Sequence, residues 1–170
     1  YDVLAREKDP AKIVYDFYRQ FDKAGGFVFK DGEKKECERI SGDVLKCGGK
    51  RWKRVERRYS EVNNDPHRCI WAHPQNDREL HIKWSNVPHA QRLTLHAGLT
   101  SHAVRRGGEP VEISVKIDGL DMGGLEIENR EGWFRMDIGV PATSTEQSHN
   151  FDFNITSKND SMRHFCFDAV

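Results

Sequence analysis

Four tryptophans, eight histidines and four cysteines, spread over 170 residues, carry whatever chemistry this chain can do. An indole offers a flat apolar face that stacks on the apolar side of a pyranose ring when Asp, Asn, Arg or His stand close enough to bond its hydroxyls. In GWFRMDIG, alternation sets Trp133, Arg135 and Asp137 on the face opposite Phe134, Met136 and Ile138, so that trio is the first candidate for ligand contact. Trp71 and His73, in CIWAHP, are the second. Trp84 continues the Leu80 and Ile82 stripe and reads as core, whereas Trp52 sits among charges. The histidines show no His-x-x-x-His pair on one helix, so they read as solvated or hydrogen-bonded rather than as zinc ligands.

Catalysis needs a marked nucleophile, base or metal, and none is marked. There is no Gly-x-Ser-x-Gly elbow, phosphate-binding glycine loop, dinucleotide fingerprint or His-Glu-x-x-His. The expectation is a protein that is not an enzyme and needs no cofactor. A glycoside hydrolase is the remaining catalytic alternative, because its two carboxylates would converge from distant positions.

Lys plus Arg and Asp plus Glu each total 27, so the net charge is zero and no global field draws the chain to nucleic acid or to an anionic membrane. The basic run KRWKRVERR, residues 50–58, is the local exception. It reads as the solvated face of a strand with Trp52 and Val55 turned inward. No stretch approaches the ~20 apolar residues that span a bilayer, and a start at Tyr1 reads as a processed or trimmed one. Mean hydropathy is −0.78, yet nine Phe, four Trp and four Tyr supply a core.

Four cysteines allow three connectivities. Cys37–Cys47, closing a short loop, with Cys69–Cys166, tying the first strand of the C-terminal region to the last, is the expected one, and implies an extracytoplasmic protein. Four buried thiols are the alternative.

The elements that would position these residues follow from periodicity. Asp9 as a cap, Pro10 at the first helical position and Ile13, Val14, Phe17, Tyr18 and Phe21 at three- and four-residue spacing predict an N-terminal helix ended by Gly25 and Gly26. Residues 27–62 read as an irregular, charged hairpin or loop. From residue 68 onward the period becomes two: residues 80–85, 93–98, 111–117, 134–138, 151–155 and 165–169 alternate apolar and polar, with Asp-Gly turning the chain at Asp118 and with Gly107-Gly108 and Gly123-Gly124 read as turns. The expected fold is mainly β, an antiparallel jelly-roll-like sandwich over 68–170, with 1–67 packed on it in one structural domain.

In order along the chain, LHIKWSNVPHAQRLTLHAGL, VEISVKIDG, GWFRMDIGVP, FDFNITS and SMRHFCFDAV resemble the strands of the galactose-binding-like jelly-roll sandwiches, which include the sugar-binding modules appended to glycoside hydrolases. The resemblance covers about the last 100 residues. It implies a sandwich that binds ligand through loops at one end or through a sheet face, commonly with a structural calcium. That ion would fall at Asn64 and Asp65, in VNNDPH, together with Asp168. The function expected is a non-catalytic carbohydrate-binding or cell-envelope recognition module whose partner is a glycan or cell-surface polysaccharide. The alternative is an assembly domain that meets a protein partner through residues 9–58.

Overall fold

The computed structural model describes residues 12–142 and 147–170. In chain order its strands are β1 (Gly25–Lys30), β2 (Glu33–Glu36), β3 (Glu38–Ser41), β4 (Val44–Lys46), β5 (Arg54–Val62), β6 (Asp65–Ala72) and β7 (Glu79–Pro88). There follow β8 (Arg92–Leu99), a short helix α1 (Ser101–Arg106), β9 (Val111–Ile117), β10 (Leu120–Ile127), β11 (Phe134–Gly139), β12 (Ser148–Ser157) and β13 (Phe165–Ala169). They form two antiparallel sheets, ordered β10-β9-β12-β7-β1-β2 and β11-β8-β13-β6-β5-β4-β3. The protein is a β-sandwich, the fold that the alternating segments imply.

One interior holds both sheets together. The apolar sides of β7, β8, β9, β12 and β13 meet there, with Ile82, Leu95, Val115, Phe153 and Phe167 each 0% exposed. Two-residue turns set the register: Asp31-Gly32 joins β1 to β2, Asn63-Asn64 joins β5 to β6 and Asp118-Gly119 joins β9 to β10, with φ positive at both central residues each time. That is the turn whose twist matches paired strands.

The predicted N-terminal helix does not form over the described residues, and its caps Asp9 and Pro10 lie outside them. Residues 17–20 are turns, followed by a single 3-10 turn at Phe21–Lys23. The apolar spacing has another use: Phe17 and Phe21 are buried, and Phe17 meets Trp84, Phe151 and Phe153 edge to face at 5.1–5.4 Å, closing one end of the core. Ile13 and Val14 stay exposed. Side chains satisfy carbonyls that a helix would have bonded internally. Arg57 donates to those of Tyr18 and Arg19, Arg39 to those of Phe21 and Ala24, and the Trp84 indole to that of Gln20.

Residues 27–62 are regular, not irregular: β1 and β2 extend the first sheet, while β3, β4 and β5 extend the second. Charge hid them, since β2 is exposed at every position and its strand character lies in backbone pairing alone. Gly123-Gly124 is likewise inside β10 rather than a turn, at a register shift against β9. A Cβ at Gly124 would sit 2.0 Å from the Ile113 carbonyl oxygen, and Gly123 has φ +90°, so this bulged strand needs both glycines.

Both expected disulfides form, Cys37–Cys47 and Cys69–Cys166, the second spanning 97 residues of sequence. Restriction of the unfolded chain is worth about 4.7 kcal/mol for a loop of ~100 residues and about 3 for one of ~15. Replacing Cys69 and Cys166 together by Ala should therefore lower the unfolding free energy in urea by about 2–5 kcal/mol, more than the Cys37/Cys47 pair does. An equal or smaller loss for the long-loop pair would show that it is not the main staple.

Candidate functional site

Residues that alternate with the core along β6 and β13 point away from the other sheet, and several of them are apolar. Cys69 and Trp71 from β6, Cys166 from β13 and Val62 from β5 make a second buried apolar cluster outside the sandwich interior. Trp133 packs on it from the segment entering β11. Gly98 in β8 makes that approach possible, because a Cβ there would lie 2.4 Å from the Gly132 carbonyl oxygen and 3.3 Å from the Trp133 ring. The Trp133 ring is also stacked with those of His67, at 4.8 Å between centroids, and His96, at 5.9 Å.

Beyond Trp71 this floor opens into a cleft of about 650 Å³. Trp52, from the loop between β4 and β5, and Arg58, from β5, line it along with His102 and Arg105 of α1 and His164 of the segment entering β13. Local chemistry fixes that wall. Thr100 is extended and its hydroxyl accepts the Ala103 N–H at 3.2 Å, starting α1, and Gly107 ends the helix at φ +74°. Arg163, wholly buried, then donates to the carbonyls of Ala103, Gly107, Glu109 and Ser161 and to the Asn129 side chain, tying the end of α1 to the residue beside His164.

Rings crowd the cleft floor. His73 lies 4.4 Å from Trp52 and 5.5 Å from His164, and His164 meets Trp71 at 5.4 Å and stacks with His102 at 5.6 Å. Burial, reinforced by the neighbouring His73 and His102, pushes the His164 pKa down from 6.5 to about 4. His73 is likewise lowered by burial, and its Nδ1–H donates to the Pro74 carbonyl at 2.8 Å. Neutral imidazoles are therefore the working form, each with one donor and one acceptor.

The sequence candidates are distributed as follows. Trp71 lines the cleft, whereas His73, packed against Trp52 and His164, does not; both are more than nine-tenths buried, and the more exposed rings of the cleft are Trp52, His102 and His164. Arg135 and Asp137 are exposed and bonded to each other at 3.1 Å, with the Thr94 hydroxyl donating to Asp137 at 2.8 Å. They extend the face that carries Trp133, whose ring is engaged by the two histidines. Asn64, Asp65 and Asp168 do not converge. Asn64 is a central residue of the β5–β6 turn, and Asp168 lies beside Arg68, which binds both of its carboxylate oxygens at 2.9–3.3 Å. A cation at Asp168 would have to displace that guanidinium, and among the described residues no group of three or more His, Cys, Asp or Glu is placed to hold a metal.

Sequence reading missed Trp52, Arg58, His102, Arg105 and His164 as one constellation. Only the basic run around Trp52 carried a signal: its Val55 does turn inward, at 0% exposure, but Trp52 lines the cleft instead. Other histidines are hydrogen-bonded inside the fold. His149 is buried between Asp118, at 2.6 Å, and His89, at 2.7 Å, and His81 bonds Asp152 at 2.9 Å.

This architecture defines an antiparallel sandwich whose second sheet carries a ring-lined cleft on its outer face, and solved structures share the fold. The CBM51-2 and INT domains of Clostridium perfringens ZmpB are similar to it with a TM-score of 0.51 and 12% identity over 87% of this chain. The same domains in complex with GlcNAc also give 0.51 and 12%, over 86%. The CBM51 of Clostridium perfringens GH95 in complex with methyl-galactose gives 0.47 and 9% over 67%. The chain spans 38% and 36% of the length of the two ZmpB chains. At such identities the likeness is one of fold, and it agrees with the resemblance carried by the C-terminal strands. No protein-family model matches the chain, and no curated protein matches it.

The depressed histidines have a measurable consequence. Between about pH 6.5 and about 4 the unfolded chain takes up a proton at position 164 that the folded chain refuses, so stability falls as pH is lowered through that window. His73 and His96, also lowered by burial, act in the same direction, whereas Asp168, raised by burial, acts against them in more acid solution. Thermal unfolding followed from pH 7 to 4 should show Tm falling, with a shallower slope for His164→Asn. An unchanged slope in that variant would mean that the imidazole is protonated in the fold.

Proposed function

We propose that this sandwich is a non-catalytic carbohydrate-binding module that takes its glycan in the cleft beside Trp52 and Trp71. One observation carries the reading: two indoles and the imidazoles of His102 and His164, set over a disulfide-linked apolar floor, line an open cleft whose rim bears exposed guanidinium groups. Flat apolar rings with bonding groups at their edges suit a pyranose, which has an apolar side and an equatorial rim of hydroxyls. The fold supports the same reading, since a structure that shares it holds GlcNAc. Trp133, Arg135 and Asp137 continue the same sheet face, where the further sugar units of a longer glycan would lie. The two disulfides suit an oxidising compartment, and we place the protein outside the cytoplasm, where cell-envelope polysaccharide is met.

A glycan array probed with the intact chain tests this. Trp52→Ala and His102→Ala should each weaken binding to the array's positive spots by about tenfold or more, in line with the loss of a stacking anchor. Both variants should keep the parent's unfolding midpoint to within about 1 kcal/mol, since they alter partly or fully exposed side chains. A blank array, or spots unaffected by both changes, would overturn the assignment.

A further inference from the structure

We infer that the cleft, on the glycan reading above, selects a sugar bearing an anionic group, a carboxylate or a sulfate ester, and that Arg58 and Arg105 bind it.

The donor and acceptor inventory of the wall points there. Four arginines, Arg51, Arg54, Arg58 and Arg105, line the cleft against one carboxylate, Glu61, and no Asp, Asn or Gln joins them. A neutral sugar needs acceptors for its hydroxyl protons as much as donors for its oxygens. The hydroxyls of Tyr59, Ser60 and Thr100 can donate or accept, but among charged groups the wall sets four cationic donors against one anionic acceptor, so its complement is a ligand rich in acceptors.

Arg58 and Arg105 differ from the arginines that hold the fold together. Structural arginines elsewhere are consumed: Arg39 and Arg163 by backbone carbonyls, Arg57 by Asp43 and two carbonyls, Arg68 by Asp16 and Asp168. In the cleft, Arg54 is paired with Glu56 at 3.0 Å, which leaves that glutamate 3.8 Å from Arg58. Arg105 stands 3.7 Å from Glu61. Both longer separations exceed hydrogen-bond length, and both guanidinium groups are open to solvent, with side chains 45% and 61% exposed. Among the described residues Arg51 makes no ion pair and no side-chain hydrogen bond. Planar forks with unspent donors match the oxygen pairs of carboxylate and sulfate. His164, held neutral by burial, adds a donor without the desolvation cost of a further buried charge.

Titration of the intact chain, followed by calorimetry and by NMR of the histidine rings, uses three probes with one ring: GlcNAc, N-acetylmuramic acid and GlcNAc 6-sulfate. At least one charged sugar should bind about tenfold or more tightly than GlcNAc, and the advantage should shrink as salt is raised. In Arg58→Gln/Arg105→Gln the ratio of charged-sugar to GlcNAc affinity should fall to about one. A preference for the muramic acid assigns a carboxylate, and one for the 6-sulfate assigns a sulfate ester. Equal binding of all three sugars would overturn the anionic selection and leave the glycan reading standing. A charged-sugar advantage that survives in the double variant would overturn the arginine assignment. Failure of all three to bind, with a blank array, would overturn both.

Discussion

The buried guanidinium of Arg163 is the contact on which the cleft depends. Among the described residues it has no carboxylate partner; its donors are spent on backbone carbonyls of α1 and its flanks and on the Asn129 side chain. A helix of six residues is too short to be stable alone, and its last turn is completed from the residues around it: the Gly107 N–H bonds the carbonyls of Ala103 and Val104, and the Asn129 side chain that of Val104. Arg163 adds a second donor at the Ala103 carbonyl, bonds those of Gly107 and Glu109 beyond it and, through its own backbone, fixes where His164 enters β13. Gly108 is part of the same device: a Cβ there would come within 2.8 Å of the guanidinium, so the loop after α1 can close over Arg163 only without a side chain. Removing this one side chain would loosen His102, Arg105 and His164 together, although none of them bonds to it.

The fold uses arginine in this way repeatedly. At the N-terminal end, Arg39 and Arg57 reach across from β3 and β5 to carbonyls of residues 18–24, and Arg68 brackets the same segment through Asp16. This is why a spacing that suits a helix ended as a chain of turns. Phe17 and Phe21 needed only to reach the core, and long side chains from strands met the backbone's remaining needs. Local propensity is a weak determinant when tertiary partners satisfy the same groups.

What could be read from the sequence followed the hydrophobic period, and what could not lay outside it. Strands β7, β8, β9, β11, β12 and β13 alternate visibly because one face of each is buried, and Asp118-Gly119 declared its hairpin. The strand β2 has no buried face and left no trace, and β10 carried its bulge glycines where a turn was expected. The cysteine pairing was accessible from spacing and placement. The cleft was not, because its residues come from the β4–β5 loop, the end of β6, α1 and the segment before β13, and nothing in their order announces that they meet. Calcium was a property of the resemblance, and here Arg68 occupies the carboxylate that would have held it.

The two outer faces of the sandwich differ in a way that bears on function. On the first sheet the positions that alternate with the core carry His81, Lys83, Ser85, Glu112, Ser114 and Lys116, groups content in water or in pairs such as His81 with Asp152. On the second sheet the equivalent positions include the polar Thr94, His96, Arg135, Asp137 and Asp168, but along β6 and β13 they also carry Cys69, Trp71, Cys166 and, over Gly98, Trp133. An apolar cluster on the outside of a sandwich adds nothing to the interior it faces away from. Yet it does make a buried apolar floor, cross-linked by a disulfide and covered by rings. Ligand groups landing on such a floor lose little of their binding free energy to ordering the protein, because the ordering is already complete in the free state. Preorganisation of that kind is what a weakly interacting, highly hydrated ligand requires of its site, and it is built into this face and not the other.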